Sequence, residues 1–249
     1  MKNTLLAILF LYVCTSCSVM TFYQTYKTTA ENGTTKPNSV EFQDQNCSVQ
    51  YNLFSNGGKV SFSVYNKTDS DMVIDLTKTF FILNSTSRQY YQDRTFSVAS
   101  NTISNSTNYN YLAKKTSTNS TSSSSTYHEQ SQIIIPAKTR ANVSEFSVVA
   151  NRFISCDLAK FPSGRNIKKL SFTKDNSPFQ FSNLISYTVN NTTTRFENRF
   201  FVTEIANYPS FDVLQRFDRN ECGNYLDQPI YQLKDNTPDR FYFKYSRDE

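Results

Sequence analysis

The sequence predicts an all-β protein: a mainly antiparallel β-sandwich with one or two short helices and a long loop rich in Ser, Thr and Asn. Several short segments alternate apolar with polar residues, as half-buried strands do. Aromatic residues make up 15% of the 249 residues, with 21 Phe and 16 Tyr, which is enough to build a core. Only 5 residues are Gly, so a collagen-like chain or glycine-rich linkers are not expected.

The first sixteen residues have the organisation of an export signal. Lys2 gives a positive start, and the apolar run from Leu5 to Val13 is too short to span a bilayer, which takes about 20 residues. Ser16 and Cys17 follow, and they resemble the cleavage site of a bacterial lipoprotein, in which the cysteine becomes the lipidated mature N-terminus. The alternative is an ordinary cleaved signal peptide. The resemblance implies lipidation of Cys17 and attachment to a membrane through the lipid.

Composition divides the remaining chain into three parts. Residues 17–45 are polar with several turn signals, which predicts a lipidated N-terminal tether after the 1–16 signal peptide. Residues 46–249 are predicted to form one β-sandwich domain. A low-complexity segment, 97–130, is inserted in it. Most of residues 97–126 are Ser, Thr or Asn with no apolar period, which predicts a long exposed loop or a disordered excursion.

Within the domain, strand-like alternation begins at Cys47. The turn Asn56-Gly57-Gly58 separates two alternating runs and predicts an antiparallel hairpin. Short helices are predicted at 150–161 and at 210–220. In the second, Ser210 is a candidate N-cap and Phe211, Leu214 and Phe217 have helical spacing. Further strands are predicted at 72–76, 79–83, 132–135, 143–149, 167–172, 184–189, 196–205 and 240–245.

Four phrases of the sequence carry a family resemblance: CSVQYNLFSNGG, VYNKTDSDMVIDLTKTFFILN, CDLAKFP and SPFQFSNLISYTV. They resemble a family of uncharacterised lipoproteins from gut Bacteroidales, and the match covers most of residues 47–249. The resemblance implies an immunoglobulin-like β-sandwich, lipid-anchored at the bacterial outer membrane. Because no acidic run follows Cys17, the periplasmic face is favoured over the cell surface. The resemblance supplies no catalytic residue.

Three cysteines remain if Cys17 is lipidated and Cys14 is removed with the leader: Cys47, Cys156 and Cys222. Disulfides persist in exported proteins. The preferred pair is Cys156 with Cys222, since each lies beside a predicted short helix or loop. The bridge would close a loop of roughly 65 residues and stabilise the fold by about 4 kcal/mol in the chain-entropy model. Three unpaired thiols are the alternative.

Several kinds of chemistry are not expected. The single histidine, His128, lies at the end of the low-complexity segment and is expected to be solvated. One imidazole cannot form a zinc site that needs two or three within one chain. The chain contains no dinucleotide-binding or phosphate-loop motif, and we expect neither a metal nor a cofactor. The net charge of +5 is mild and the basic residues are scattered, so nucleic acid is not an expected partner.

Three functions are compatible with these observations. The first is a non-catalytic binding or assembly role with another envelope protein. The second is a surface module that binds a glycan or a host ligand through exposed aromatic residues, although core packing explains the same aromatics. The third is a hydrolase that uses carboxylates such as Asp75, Glu197 and Glu204. The first is favoured, and no enzymatic activity is expected. The candidate aromatics are Tyr90, Tyr91, Tyr109, Tyr111 and the run Phe241–Tyr245.

Overall fold

The structure is a computed structural model that describes residues 20–110 and 113–247. Within these ranges the chain forms eighteen strands and one short helix. In chain order they are β1 (Thr21–Ala30), β2 (Thr34–Thr35), β3 (Val40–Gln43), β4 (Cys47–Tyr51), β5 (Phe62–Asn66), β6 (Met72–Asp75), β7 (Phe80–Leu83), β8 (Thr86–Gln89), β9 (Thr95–Asn110), β10 (Ala113–His128), β11 (Gln132–Ile135), β12 (Arg140–Val143), β13 (Lys169–Ser171), β14 (Gln180–Val189), β15 (Thr192–Pro209), α1 (Ser210–Val213), β16 (Leu214–Arg219), β17 (Tyr225–Leu233) and β18 (Arg240–Ser246).

Two sheets form the body of the molecule. The larger sheet has nine strands along the path β11-β6-β14-β15-β1-β18, with β13 beside β15 and with β7 joining β14 to β8. The smaller sheet has five strands in the order β12-β5-β4-β3-β2. The strands of both sheets pair antiparallel. The predicted antiparallel β-sandwich is therefore confirmed.

Aromatic side chains fill the space between the sheets. The ring of Phe200 on β15 lies 5.1 Å from the rings of both Phe42 and Tyr51 in the smaller sheet, measured between centroids. Phe62 on β5 packs against Tyr90 at 5.6 Å. All five rings are buried. Each such ring removes about 150–250 Å² from water, so these contacts supply much of the hydrophobic stabilisation.

The pairing predicted around Asn56-Gly57-Gly58 is present, since β4 pairs with β5. The connection is longer than a simple hairpin turn because residues 52–61 reach across to β18. Gly58 has a positive φ of 65°, and a Cβ atom there would lie 2.7 Å from the Phe241 ring. Glycine is therefore required at this position by both backbone conformation and space.

The prediction that 17–45 is a tether is wrong for the described part of that segment. Thr21–Ala30 is an inner strand of the larger sheet, between β15 and β18. The apolar–polar alternation typical of a strand is interrupted in β1, because two of its buried residues, Gln24 and Thr28, are polar. Their side chains are hydrogen-bonded inside the fold, Thr28 Oγ1 to the Asp239 carbonyl at 2.7 Å. Buried polar groups are tolerated when they are paired in this way.

The segment 97–130 is not the predicted irregular loop. Strands β9 and β10 pair antiparallel along their whole length, from Asn110 with Ala113 to Thr95 with His128. A backbone ladder needs no apolar side chains, and threonine favours extended backbone. The polar composition therefore removed the periodicity signal without removing the strands.

Both helix predictions need correction. Residues 150–161 contain turns but no helix, and this segment covers the core face of the larger sheet beside β1 with Phe161 against Phe22 at 5.1 Å. Of 210–220, only Ser210–Val213 is helical. Leu214–Arg219 is the strand β16, because it pairs with β17, which the sequence analysis did not predict. No helix among the residues described could cross a membrane.

Candidate functional site

The predicted lipidation site, Cys17, lies outside the described residues. The position of β1 nevertheless bears on it, because only residues 18–20 separate Cys17 from Thr21. The four steps along the chain from Cys17 to Thr21 span at most about 14 Å. A lipid on Cys17 would therefore hold the start of β1 close to a membrane surface.

Three basic residues collect near the start of β1. The Lys160 ammonium lies 4.9 Å from the centre of the Phe161 ring, and the Arg247 guanidinium lies 5.6 Å from the same ring. Arg152 lies 5.3 Å from the ring of Tyr245, which in turn stacks on Phe22. We call Arg152, Lys160 and Arg247 the basic end. Each cation is held over an aromatic face by the ring quadrupole.

The predicted bridge between Cys156 and Cys222 is not formed in the structure. Both cysteines are exposed free thiols. Cys156 lies in the segment that covers the larger sheet, whereas Cys222 lies in the turn between β16 and β17, where its N–H donates to Asn220 Oδ1 at 3.1 Å. The two turns belong to different parts of the fold. Cys47 is buried, and burial together with the nearby Asp44 raises the pKa of its thiol.

His128 is exposed at the end of β10, and its Nδ1 lies 3.3 Å from Thr95 Oγ1. Its neighbour Glu129 belongs to a cluster that the sequence analysis missed. The Arg94 guanidinium donates hydrogen bonds to Glu129 Oε1 and to Glu145 Oε1, each at 2.5 Å. The hydrogen bonds from Arg94 lower the pKa of Glu129 to about 2. This ion-pair cluster joins the base of the β9–β10 ribbon to the body of the sandwich.

The candidate catalytic carboxylates are not brought together. Asp75 accepts from Thr77 and pairs with Lys78 at 3.0 Å. Glu197 accepts from Arg199 at 2.6 Å, which lowers its pKa. Glu204 pairs with Lys169 at 3.1 Å and lies seven residues from Glu197 on the same strand, about 24 Å along it. Within residues 20–110 and 113–247, no three His, Cys, Asp or Glu side chains are grouped so as to hold a metal ion.

Only some of the candidate glycan-binding aromatics lie in the core. Tyr90, Phe241 and Tyr245 are buried. Tyr91 is half-buried, and its hydroxyl donates to Asp93 Oδ1 at 2.8 Å. Tyr111 lies outside the described residues, and Tyr109 lies on β9 near the end of the ribbon.

Exposed apolar side chains are concentrated instead on β16 and β17. We call residues 214–233 the apolar hairpin. It forms its own two-stranded sheet, and nearly all of its side chains face solvent. Exposed fractions are 37% for Phe217, 76% for Tyr225, 47% for Ile230 and 56% for Tyr231, and Phe211 in the preceding helix is 64% exposed. The run after Gly223 alternates poorly, which is why β17 escaped prediction.

A cavity of about 170 Å³ lies where the apolar hairpin meets the larger sheet. Its walls include Phe54, Tyr208 and Tyr242 together with the charged pair Asp235 and Arg240, whose atoms lie 3.0 Å apart. Two of the candidate aromatics from the sequence, Phe241 and Tyr242, line this cavity, which we call the base cavity. The combination of aromatic faces and fixed polar groups is typical of small-ligand sites.

Comparison of the chain with protein-family models, curated proteins and solved structures finds no match.

Proposed function

We propose that this chain is a lipid-anchored envelope protein with a non-catalytic binding or assembly role, and that the apolar hairpin is its binding surface. The observation that carries the proposal is the exposure of Phe217, Tyr225, Ile230 and Tyr231 on one hairpin. Phe217 and Ile230 are cross-strand partners on one face of the hairpin, whereas Tyr231 projects from the other face. Exposed apolar patches mark interaction sites. Aromatic residues are also enriched at the centres of protein interfaces.

The hairpin's own stability supports the same proposal. An isolated two-stranded hairpin is marginally stable in water. The apolar hairpin pairs with no other strand of the part of the chain that the structure describes, and few of its side chains are covered. A partner protein that packs on it would bury the exposed rings and supply the missing core.

The basic end supports the membrane anchor. A lipid on Cys17 would place Arg152, Lys160 and Arg247 within reach of the headgroups, and cations near an anionic surface each contribute about 1 kcal/mol of attraction. We place the protein at the bacterial outer membrane, with the periplasmic face favoured. Labelling with a clickable fatty acid tests the anchor, and a Cys17→Ala variant that is still labelled would contradict it.

Site-specific photo-crosslinking tests the binding surface. A photoreactive phenylalanine analogue replaces Tyr231 in one variant and Ile154 in the control. Ile154 is 78% exposed but lies outside the hairpin. In cells, the residue at 231 should give discrete protein adducts that the residue at 154 does not. Equal labelling from both positions, or none from 231, would contradict the proposal.

Glycan binding is the second candidate, and the base cavity is the observation that favours it. The rings of Tyr208, Tyr242 and Phe54 offer stacking surfaces, and Asp235 and Arg240 offer hydrogen bonds to hydroxyl groups. Calorimetric titration with envelope and host oligosaccharides distinguishes this role. Binding that a Tyr242→Ala variant loses would support the glycan role over the hairpin role.

A further inference from the structure

We propose that β16 is the interface strand of a symmetric dimer. A second copy of this chain pairs its own β16 antiparallel to the first, so that the two hairpins form one four-stranded sheet. The inference rests on the proposed binding role of the apolar hairpin and names its partner. Pairing of like strands across a two-fold axis is an isologous contact, in which the same surface serves both copies.

Only one of the hairpin's two edges is suited to further pairing. Among the strands of residues 20–110 and 113–247, β16 and β17 pair only with each other, so each presents an outer edge of backbone groups to further pairing. The β17 edge contains Pro229, which has no N–H to donate. It is also irregular: between the pairs Phe217–Ile230 and Arg219–Tyr225, β17 advances five residues while β16 advances two. β16 contains neither proline nor lysine, and its pairs from Leu214 to Phe217 keep one register.

The backbone hydrogen bonds set the register. Lys234 N–H donates to the Val213 carbonyl at 2.9 Å. Hydrogen-bonded and non-hydrogen-bonded pairs alternate along an antiparallel ladder. The backbone groups of Phe217 therefore face β17, and those of Arg216 and Asp218 face the outer edge. A two-fold axis at Phe217 pairs these outward groups correctly, because it sets Arg216 opposite Asp218 of the second copy.

The side chains in this register are complementary. Within one chain Arg216 Nε donates to Asp218 Oδ1 at 2.7 Å, and both side chains are more than half exposed, so each can also reach the second copy. Phe217 meets its own copy at the axis, where non-hydrogen-bonded pairs bring side chains closest. Opposite-charge and aromatic cross-strand pairs both stabilise sheets. Anchoring of both copies in one membrane would raise their effective concentration.

Charge exchange across the axis provides the test. Arg216→Asp sets Asp against Asp218 of the second copy, and Asp218→Arg sets Arg against Arg216. Sedimentation velocity of the full chain in detergent should show a dimer for the wild type. Each single variant should dissociate at an about tenfold higher protein concentration than the wild type, since two attractive pairs become repulsive.

The double variant Arg216→Asp with Asp218→Arg should dimerise again, and the two single variants should form a mixed dimer. Asp227→Arg, on β17, is the control and should leave the dimer unchanged.

A cysteine at the axis gives a second measurement. In a background with both Cys156→Ser and Cys222→Ser, Phe217→Cys should form a disulfide-linked dimer on mild oxidation. Ile230→Cys should not, because Ile230 lies one strand further from the axis. Absence of the Phe217→Cys product, or a wild-type monomer at 100 μM, overturns the dimer. If residue 231 still captures a different protein in cells, the dimer is wrong and the binding role stands. If it captures nothing, both are wrong.

Discussion

Gln24 is the residue on which the attachment of the 150–161 segment depends. Its Nε2 donates to the Phe153 carbonyl at 2.9 Å and to Asn207 Oδ1 at 2.8 Å, and its Oε1 accepts from Phe153 N–H at 2.6 Å. Gln24→Met keeps the volume but removes all three of these hydrogen bonds. We expect it to lower the free energy of unfolding by about 3 kcal/mol in urea titrations. Thr28→Val, which breaks one hydrogen bond, should cost about 1 kcal/mol. Equal losses would contradict this account.

The same residue explains what sequence reasoning missed at this scale. The core positions of β4 and β5 are apolar, so their alternation was visible and their pairing was predicted. The core positions of β1 include Gln24 and Thr28, whose partners Phe153, Asn207 and Asp239 lie more than 100 residues away. No local pattern signals that such polar groups are paired. A strand with a polar interior is therefore indistinguishable from a tether until the fold is known.

Among the elements, the β9–β10 ribbon depends on the cluster at its base. Arg94 holds the pKa of Glu129 at about 2, below its ordinary value of 4.5. A lowered folded-state pKa stabilises the fold above the unfolded pKa, and this stabilisation is lost as pH falls from about 4.5 to 2. At pH 7 the free energy of unfolding of the wild type should be about 2 kcal/mol higher than that of the Glu129→Gln variant. Urea titrations at several pH values should show this difference vanish near pH 2. A pH-independent difference would exclude the ion pair as its cause.

Whether a segment forms a strand depended on the strand beside it, and this explains which elements were predicted correctly. Phe211, Leu214 and Phe217 have helical spacing, yet Leu214–Arg219 is a strand because Tyr225–Leu233 lies beside it. The ribbon is a similar case, since its two strands pair with each other and need no apolar face. Both hairpins lie outside the core, where hydrophobic periodicity carries no information. The core strands show hydrophobic periodicity because one face of each strand is buried.

For the whole molecule, the sandwich class could be predicted because many aromatic residues and few glycines restrict the architecture. The exposed apolar surface of the hairpin could not be predicted, because exposure of Tyr225, Ile230 and Tyr231 depends on which strands the core leaves uncovered. From the sequence alone those residues resemble core residues. Conversely, Tyr90 and Tyr245 were candidates for exposure and are buried.

The proposed membrane role of the basic end gives a prediction for the whole molecule. Replacing Arg152, Lys160 and Arg247 with Gln in residues 18–249 should weaken binding to vesicles containing anionic phospholipid at least about tenfold, since each cation contributes about 1 kcal/mol. The control replaces Lys59, Arg88 and Lys138, which are exposed elsewhere, and it changes the net charge equally. Co-sedimentation with vesicles measures both variants. Because exposed charges are screened by salt, the difference between the variants should shrink as ionic strength rises. Equal weakening by the two variants would mean that net charge alone draws the protein to the surface, without a preferred orientation.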